Sequence, residues 1–211
     1  MISNQHTRIK ICGITNVSDA VLAANAGADA IGLVFYPDSP RYVNIEKAKE
    51  IVNLLPPFTN CVGLFVDADE KTIRDVLQQV AIDTLQFHGH EPEQACALYG
   101  KPYIKAIRMR EDVDLEEEAV KYSSAKALLL DTYVKDTPGG TGLSFDWDKI
   151  PSQDKRTKPI ILAGGLDADN VKHAIHQVKP YAVDVSGGVE AEKGKKDPEK
   201  IINFIREALN A

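Results

Sequence analysis

Long apolar runs are missing from this chain. A bilayer-spanning helix needs about 20 consecutive apolar residues, and every apolar stretch here is interrupted by charge, glycine or proline well before that. No membrane partner is expected. A basic excess is missing too. Lys and Arg number 25 against 31 Asp and Glu, for a net charge of −6, so no positive surface invites nucleic acid or anionic lipid. An anionic ligand would have to be held by local groups. Cysteine is scarce. The three thiols, Cys12, Cys61 and Cys96, are widely spaced and form no metal-binding or disulfide pattern. Reduced thiols and a cytoplasmic location are expected. Residues 4–8 are polar, so no secretory leader is expected. Linkers and low-complexity segments are also lacking, and 211 residues suit one substantial core better than two.

What is present is one pattern, repeated. Short β-rich runs at 8–12, 30–35, 61–66, 84–88, 103–108, 127–131, 159–163 and 181–185 alternate with amphipathic stretches. Runs such as Leu128-Leu129-Leu130 and Ile160-Ile161-Leu162 are apolar throughout, as in parallel strands buried on both faces. The helical stretches are expected at 20–26, 45–54, 70–80, 91–99, 112–122, 167–178 and 198–209, with Ser18 and Asp19 capping the first. In the fifth, Val113, Leu115, Ala119 and Val120 form the expected inner face. The stretch 145–150 holds at most a turn or two. Lys193–Lys196 reads as a solvated loop. Eight strand–helix repeats in a single domain favour an α/β fold, a (β/α)8 TIM barrel, with an open doubly wound sheet as the alternative.

In such a barrel the functional groups stand at the C-terminal strand ends. Those ends carry Cys12, Arg41 in a stiff Ser39-Pro40-Arg41 turn, His88, Asp131 and Asp184. Lys10 lies two residues before Cys12, on the same side of its strand, where an ammonium would favour a thiolate. Asp131 ends an apolar run, and partial desolvation would suit it to donate a proton. The pairs Gly164-Gly165 and Gly187-Gly188 follow consecutive late strands, beside a Gly139–Gly142 loop. Glycine lets backbone N–H groups approach an anion closely, so a phosphate site is expected there. Each residue also has a plainer reading: a structural thiol, a capping aspartate, a rim histidine, an arginine paired with a nearby acid.

Together these stretches resemble one family. Lys10-Ile11-Cys12-Gly13, Ser39-Pro40-Arg41-Tyr42-Val43, Gln86-Phe87-His88-Gly89, Leu130-Asp131, Gly139-Gly140-Thr141-Gly142, Leu162-Ala163-Gly164-Gly165-Leu166 and Asp184-Val185-Ser186-Gly187-Gly188-Val189-Glu190 are similar, in order, to the phosphoribosylanthranilate isomerases of tryptophan biosynthesis. The resemblance implies a (β/α)8 barrel that performs an Amadori rearrangement on a phosphosugar–anthranilate substrate, with no metal or organic cofactor. It implies Cys12 as general base, Asp131 as general acid and Arg41 at the anthranilate carboxylate. It implies Gly142, Gly164, Gly165, Gly187 and Gly188 around the phosphate, with the Ser186 stretch contributing backbone only. Asp184 and His88 are expected as further substrate contacts. A monomer is expected. A metal-dependent epimerase would want more histidines at the strand ends, and the related isomerase of histidine biosynthesis would want an aspartate where Cys12 stands. A catalytically silent phosphosugar-binding barrel would keep the glycine loops and lose the acid or the base.

Overall fold

The computed structural model describes residues 6–132 and 146–211. Strands β1 (Arg8–Cys12), β2 (Ala30–Val34), β3 (Asn60–Phe65), β4 (Thr84–Phe87), β5 (Tyr103–Met109), β6 (Ala127–Thr132), β7 (Ile160–Leu162) and β8 (Ala182–Val185) pair in parallel in chain order. Register pairs from Arg8↔Ala182 to Ile11↔Val185 join β8 to β1 and close the barrel. The open-sheet alternative is thereby excluded. Each expected strand is present, with ends shifted by a residue or so.

The helices are α1 (Val17–Ala26), α2 (Ile45–Asn53), α3 (Glu70–Gln79), α4 (Glu93–Cys96), α5 (Leu115–Lys121), α6 (Val171–Val178) and α7 (Pro198–Leu209). A 3₁₀ turn, Ala97–Tyr99, continues α4, and short 3₁₀ turns at Trp147–Lys149 and Gln153–Lys155 lie before β7. Asn16, Asn44, Asp69, Asp114 and Asp197 cap helices by accepting from backbone N–H groups two or three residues on.

Three expectations are corrected. The first helix begins at Val17 behind an Asn16 cap, because the Asn16 side chain reaches Asp19 N at 2.9 Å. Asp19 is buried and accepts from Lys196 N instead of capping. Val120 is 77% exposed, since Leu115 and Ala119 already face the barrel and Val120 falls on the opposite side of α5. Residues 193–196 are not a solvated loop throughout. Lys195–Lys196 (β10) pairs antiparallel with Glu190–Glu192 (β9), and the Lys196 side chain is fully buried because Glu190 compensates its charge.

Alternation along each strand divides the side chains. Ile9, Ile11, Ile31, Leu33, Leu128, Leu130, Val183 and Val185 face outward and form the large core against the helices. Ile104, Ala106, Ala127, Leu129, Ile161, Ala163 and Ala182 fill one side of the barrel interior. Cys12, Val34 and Leu64 pack together on the other.

One buried ion pair ties the ends of two strands to a third. Lys105 Nζ lies 3.0 Å from Glu91 Oε2 and donates to the Gly89 carbonyl at 2.7 Å. Glu91 Oε1 in turn accepts from Asp67 N at 2.8 Å. The ends of β3 and β4 are thus hung from a lysine on β5. Lys105→Met is expected to cost about 3–5 kcal/mol, because Glu91 is left buried and uncompensated. Adding Glu91→Gln should recover much of that loss. Urea unfolding of the two variants measures it, and equal stability of Lys105→Met and wild type would contradict the assignment.

Candidate active site

The C-terminal end of the barrel begins with β1. Lys10 and Cys12 both point into the barrel, as the two-residue spacing predicts. Gly32 on β2 makes the room: a Cβ there would lie 2.7 Å from Cys12 Sγ and 3.1 Å from Lys10 Nζ. Lys10 Nζ donates to Asp184 Oδ1 at 2.9 Å, and both side chains are buried. Burial opposes the Lys10 charge, but Asp184 and Cys12 outweigh it and hold the ammonium above its usual range. Burial pushes the Cys12 thiol up, Lys10 works against that rise, and Asp184 adds to it. The lysine therefore restrains the increase without reversing it. Cys61 and Cys96 lie outside this cluster, each pushed up to about 12 mainly by burial.

Asp131 ends the inward-facing series on β6. Its Oδ2 is 3.2 Å from His88 Nε2, and its Oδ1 accepts from Thr132 N at 2.9 Å. His88 Nδ1 faces Gln86 Nε2 at 3.1 Å. Gln86 Oε1 is buried and has no partner among the described residues. Gln86, His88 and Asp131 thus form a short polar chain from β4 to β6.

Arg41 stands behind Ser39, whose hydroxyl accepts from Arg41 N at 3.1 Å. Its stem crosses Gly13, where a Cβ would come within 2.5 Å of Arg41 Cδ, and Gly13 has φ +72°. Arg41 Nε and Nη2 reach Glu190 Oε1 and Oε2 at 2.7 and 2.8 Å. The Glu190 bond raises the Arg41 pKa against the opposing effect of burial. Lys196 Nζ donates to the same Glu190 Oε1 at 3.0 Å and to the Ser186 carbonyl at 3.0 Å. Burial works against the charges on both Lys196 and Glu190. It leaves the lysine below its usual range, while the two cations hold the carboxyl below the usual carboxylate range.

The glycine loops lie beside these groups. Gly164 and Gly165 both have positive φ, and a Cβ on Gly164 would meet the Thr132 hydroxyl and, at 3.0 Å, Asp131 Oδ1. Gly187-Gly188-Val189 forms a 3₁₀ turn packed on the loop after β7, so closely that a Cβ on Gly188 would strike the Leu166 carbonyl. Gly142 and the rest of the Gly139–Gly142 loop lie outside the described residues. No group of three or more His, Cys, Asp and Glu is placed to hold a metal among the described residues.

The structure thus gathers Cys12, Asp184, Arg41, His88, Asp131 and the late glycine pairs at one end of the barrel. Sequence reasoning missed Gln86, Glu190 and Lys196 as members. The alternation Gln86–His88 was a usable signal for the first. Nothing in the run Lys193-Gly194-Lys195-Lys196 marks its last residue as the buried one.

Comparison with known proteins follows the same lines. A profile described as N-(5'-phosphoribosyl)anthranilate (PRA) isomerase matches residues 9–207. The N-(5'-phosphoribosyl)anthranilate isomerase of Azotobacter vinelandii is 56% identical over 204 residues, covering 97% of this chain and 98% of that protein. The phosphoribosyl anthranilate isomerase crystal structure from Thermotoga maritima superposes with a TM-score of 0.88 at 42% identity, covering 97% of this chain and all of that one. A structure of such an isomerase in complex with reduced 1-(o-carboxyphenylamino)-1-deoxyribulose 5-phosphate gives 0.85, also at 42% identity and with the same coverage. Matched along nearly its whole length, the chain belongs to the N-(5'-phosphoribosyl)anthranilate isomerase family, the aldose–ketose isomerases of tryptophan biosynthesis.

Proposed function

We propose that the chain converts N-(5-phospho-β-D-ribosyl)anthranilate to 1-(2-carboxyphenylamino)-1-deoxy-D-ribulose 5-phosphate, with Asp131 as general acid and Cys12 as general base. The observation that supports it most is the placing of a thiol and a carboxylate at the same barrel end, on β1 and β6, each backed by its own polar partners. A substrate lying across the mouth meets an acid on one side and a base on the other.

The steps follow from those positions. Asp131 gives its proton to the ring oxygen. The C1–O bond breaks, and the nitrogen lone pair forms the C1=N bond of a protonated Schiff base. That cation makes the C2 hydrogen acidic. The Cys12 thiolate takes it, and the C2–H electrons flow into a C1–C2 double bond while the C1=N electrons return to nitrogen. The neutral enolamine then gains a proton at C1 and loses one from the C2 hydroxyl, giving the ketone. No metal or redox cofactor is needed to balance these steps.

The neighbours suit the roles. Lys10 counters the cost of forming the thiolate at Cys12. With Gln86 Nε2 donating, His88 Nδ1 accepts and its Nε2–H points to an ionised Asp131. With the amide turned over, Gln86 Oε1 accepts from Nδ1–H, and His88 Nε2 accepts from a protonated Asp131. His88 can thus pair with either charge state of the acid. Arg41 is assigned to the anthranilate carboxylate, Asp184 to substrate orientation through Lys10, and Gly142, Gly164, Gly165, Gly187 and Gly188 to the phosphate. The chain is proposed to act as a cytoplasmic monomer. The T. maritima enzyme is described as dimeric, and sedimentation velocity distinguishes the two states here.

Three outcomes test this reading. In a coupled assay that generates the labile aminoaldose in place, Cys12→Ser and Asp131→Asn should each lower kcat by about 10²–10⁴-fold. Binding of the reduced product analogue should persist, and near-normal turnover by either variant sinks that residue's role. For the second, kcat/KM should rise from neutral toward alkaline pH, since the raised Cys12 pKa leaves little thiolate below it. For the third, replacing Lys10 by Met and Asp184 by Asn together keeps the buried site neutral, and that double variant should move the rising limb to higher pH. A limb that stays in place would show that the Lys10–Asp184 pair exerts no net pull on the thiol.

A further inference from the structure

Glu190 does more than balance charge. A guanidinium has two edges that each present a pair of parallel N–H groups. Glu190 fills one of them, Nε with Nη2, in a two-bond contact with side chains only 11% and 5% exposed. Nη1 has no protein acceptor among the described residues. The Arg41 stem is fixed as well, held over Gly13 next to Cys12. The same carboxylate holds Lys196, which donates to the Ser186 carbonyl at the start of the Gly187-Gly188 turn. Two cations share one anion, and the cluster keeps one unit of positive charge.

Resting on the assignment of Arg41 to the substrate carboxylate, we infer that Glu190 is a positioning residue that fixes Arg41 by one edge so that its other edge receives that carboxylate. An incoming carboxylate completes the charge balance of Arg41, Lys196 and Glu190. Through Lys196 the same residue also ties the carboxylate-binding arginine to the loop proposed for the phosphate. The spacing between the two anion sites is thereby set by one side chain.

Electrostatics alone and positioning predict opposite signs. If Glu190 only diluted the positive field, Glu190→Gln would tighten binding of a carboxylated ligand. If it positions Arg41, the same change loosens it. The measurement is calorimetric binding of two ligands, the reduced product analogue and the same compound with phenyl in place of 2-carboxyphenyl. The ratio of their affinities is the carboxylate preference. Glu190→Gln should cut that preference at least ~10-fold, about 1.4 kcal/mol, and any change in the phosphate contact, common to both ligands, cancels from the ratio. KM should rise more than kcat falls. Glu190→Gln with Lys196→Met removes one charge of each sign and carries the test if the single variant does not fold. An unchanged or increased preference in a folded variant overturns the inference. Arg41→Met separates the two levels of the argument. If it leaves the preference intact, the assignment of Arg41 fails. If it abolishes the preference while Glu190→Gln does not, that assignment stands and the role of Glu190 falls.

Discussion

The barrel closes where its chemistry sits. β8 meets β1 in the register that places Lys10 opposite Asp184, and those two side chains form a buried ion pair inside the closed sheet. Side chains fill the interior of a (β/α)8 barrel, so a charge there has no water to turn to. Breaking a buried pair by removing one partner is strongly destabilising. Closure and pairing therefore require each other at this seam. Cys12 stands two residues along, so the electrostatics of the thiol are set by the bond that finishes the fold. Ala182, two residues before Asp184 on β8, belongs to the buried apolar cluster of the interior, and a charge pair in apolar surroundings interacts more strongly than one in water.

The same device is used twice more. Lys105 with Glu91 and Lys196 with Glu190 are buried lysine–carboxylate pairs, and each also grips backbone carbonyls. The first fastens the ends of β3 and β4 to β5. The second fastens the loop after β8 to the arginine that follows β2. Loops that would otherwise be held by their own turns are cross-linked by charge at short range. This suits a catalytic mouth, where geometry must be held to a fraction of an ångström.

Much of this was legible in the residues. Strand ends placed Cys12, His88, Asp131 and Asp184 at one face, and the two-residue spacing put Lys10 beside Cys12. The apolar runs on both faces of β6 and β7 pointed to a parallel sheet. What stayed hidden was hidden for physical reasons. β9 and β10 are three and two residues long and mostly charged, too short to show alternation. The buried Lys196 follows the exposed Lys195 with nothing local to separate them. Its burial depends on Glu190, six residues away, and on Asp19 from α1. Asn16 and Ser18 are both fit to cap, and only the backbone turn decides between them. Val120 looked apolar enough to face inward, yet its neighbour Ala119 had already taken that side of a two-turn helix.

Gly13 and Gly32 hold no proton, bear no charge and bind nothing through a side chain. Between them they leave the space in which a thiol, an ammonium and a guanidinium converge. A methyl group at Gly32 would enter the volume of Cys12 Sγ. One at Gly13 would strain the backbone and displace the Arg41 stem. In a saturation scan read by growth without tryptophan, these two positions are expected to be as intolerant as Cys12 and Asp131. The space that two glycines leave shapes this barrel mouth as much as the groups that fill it.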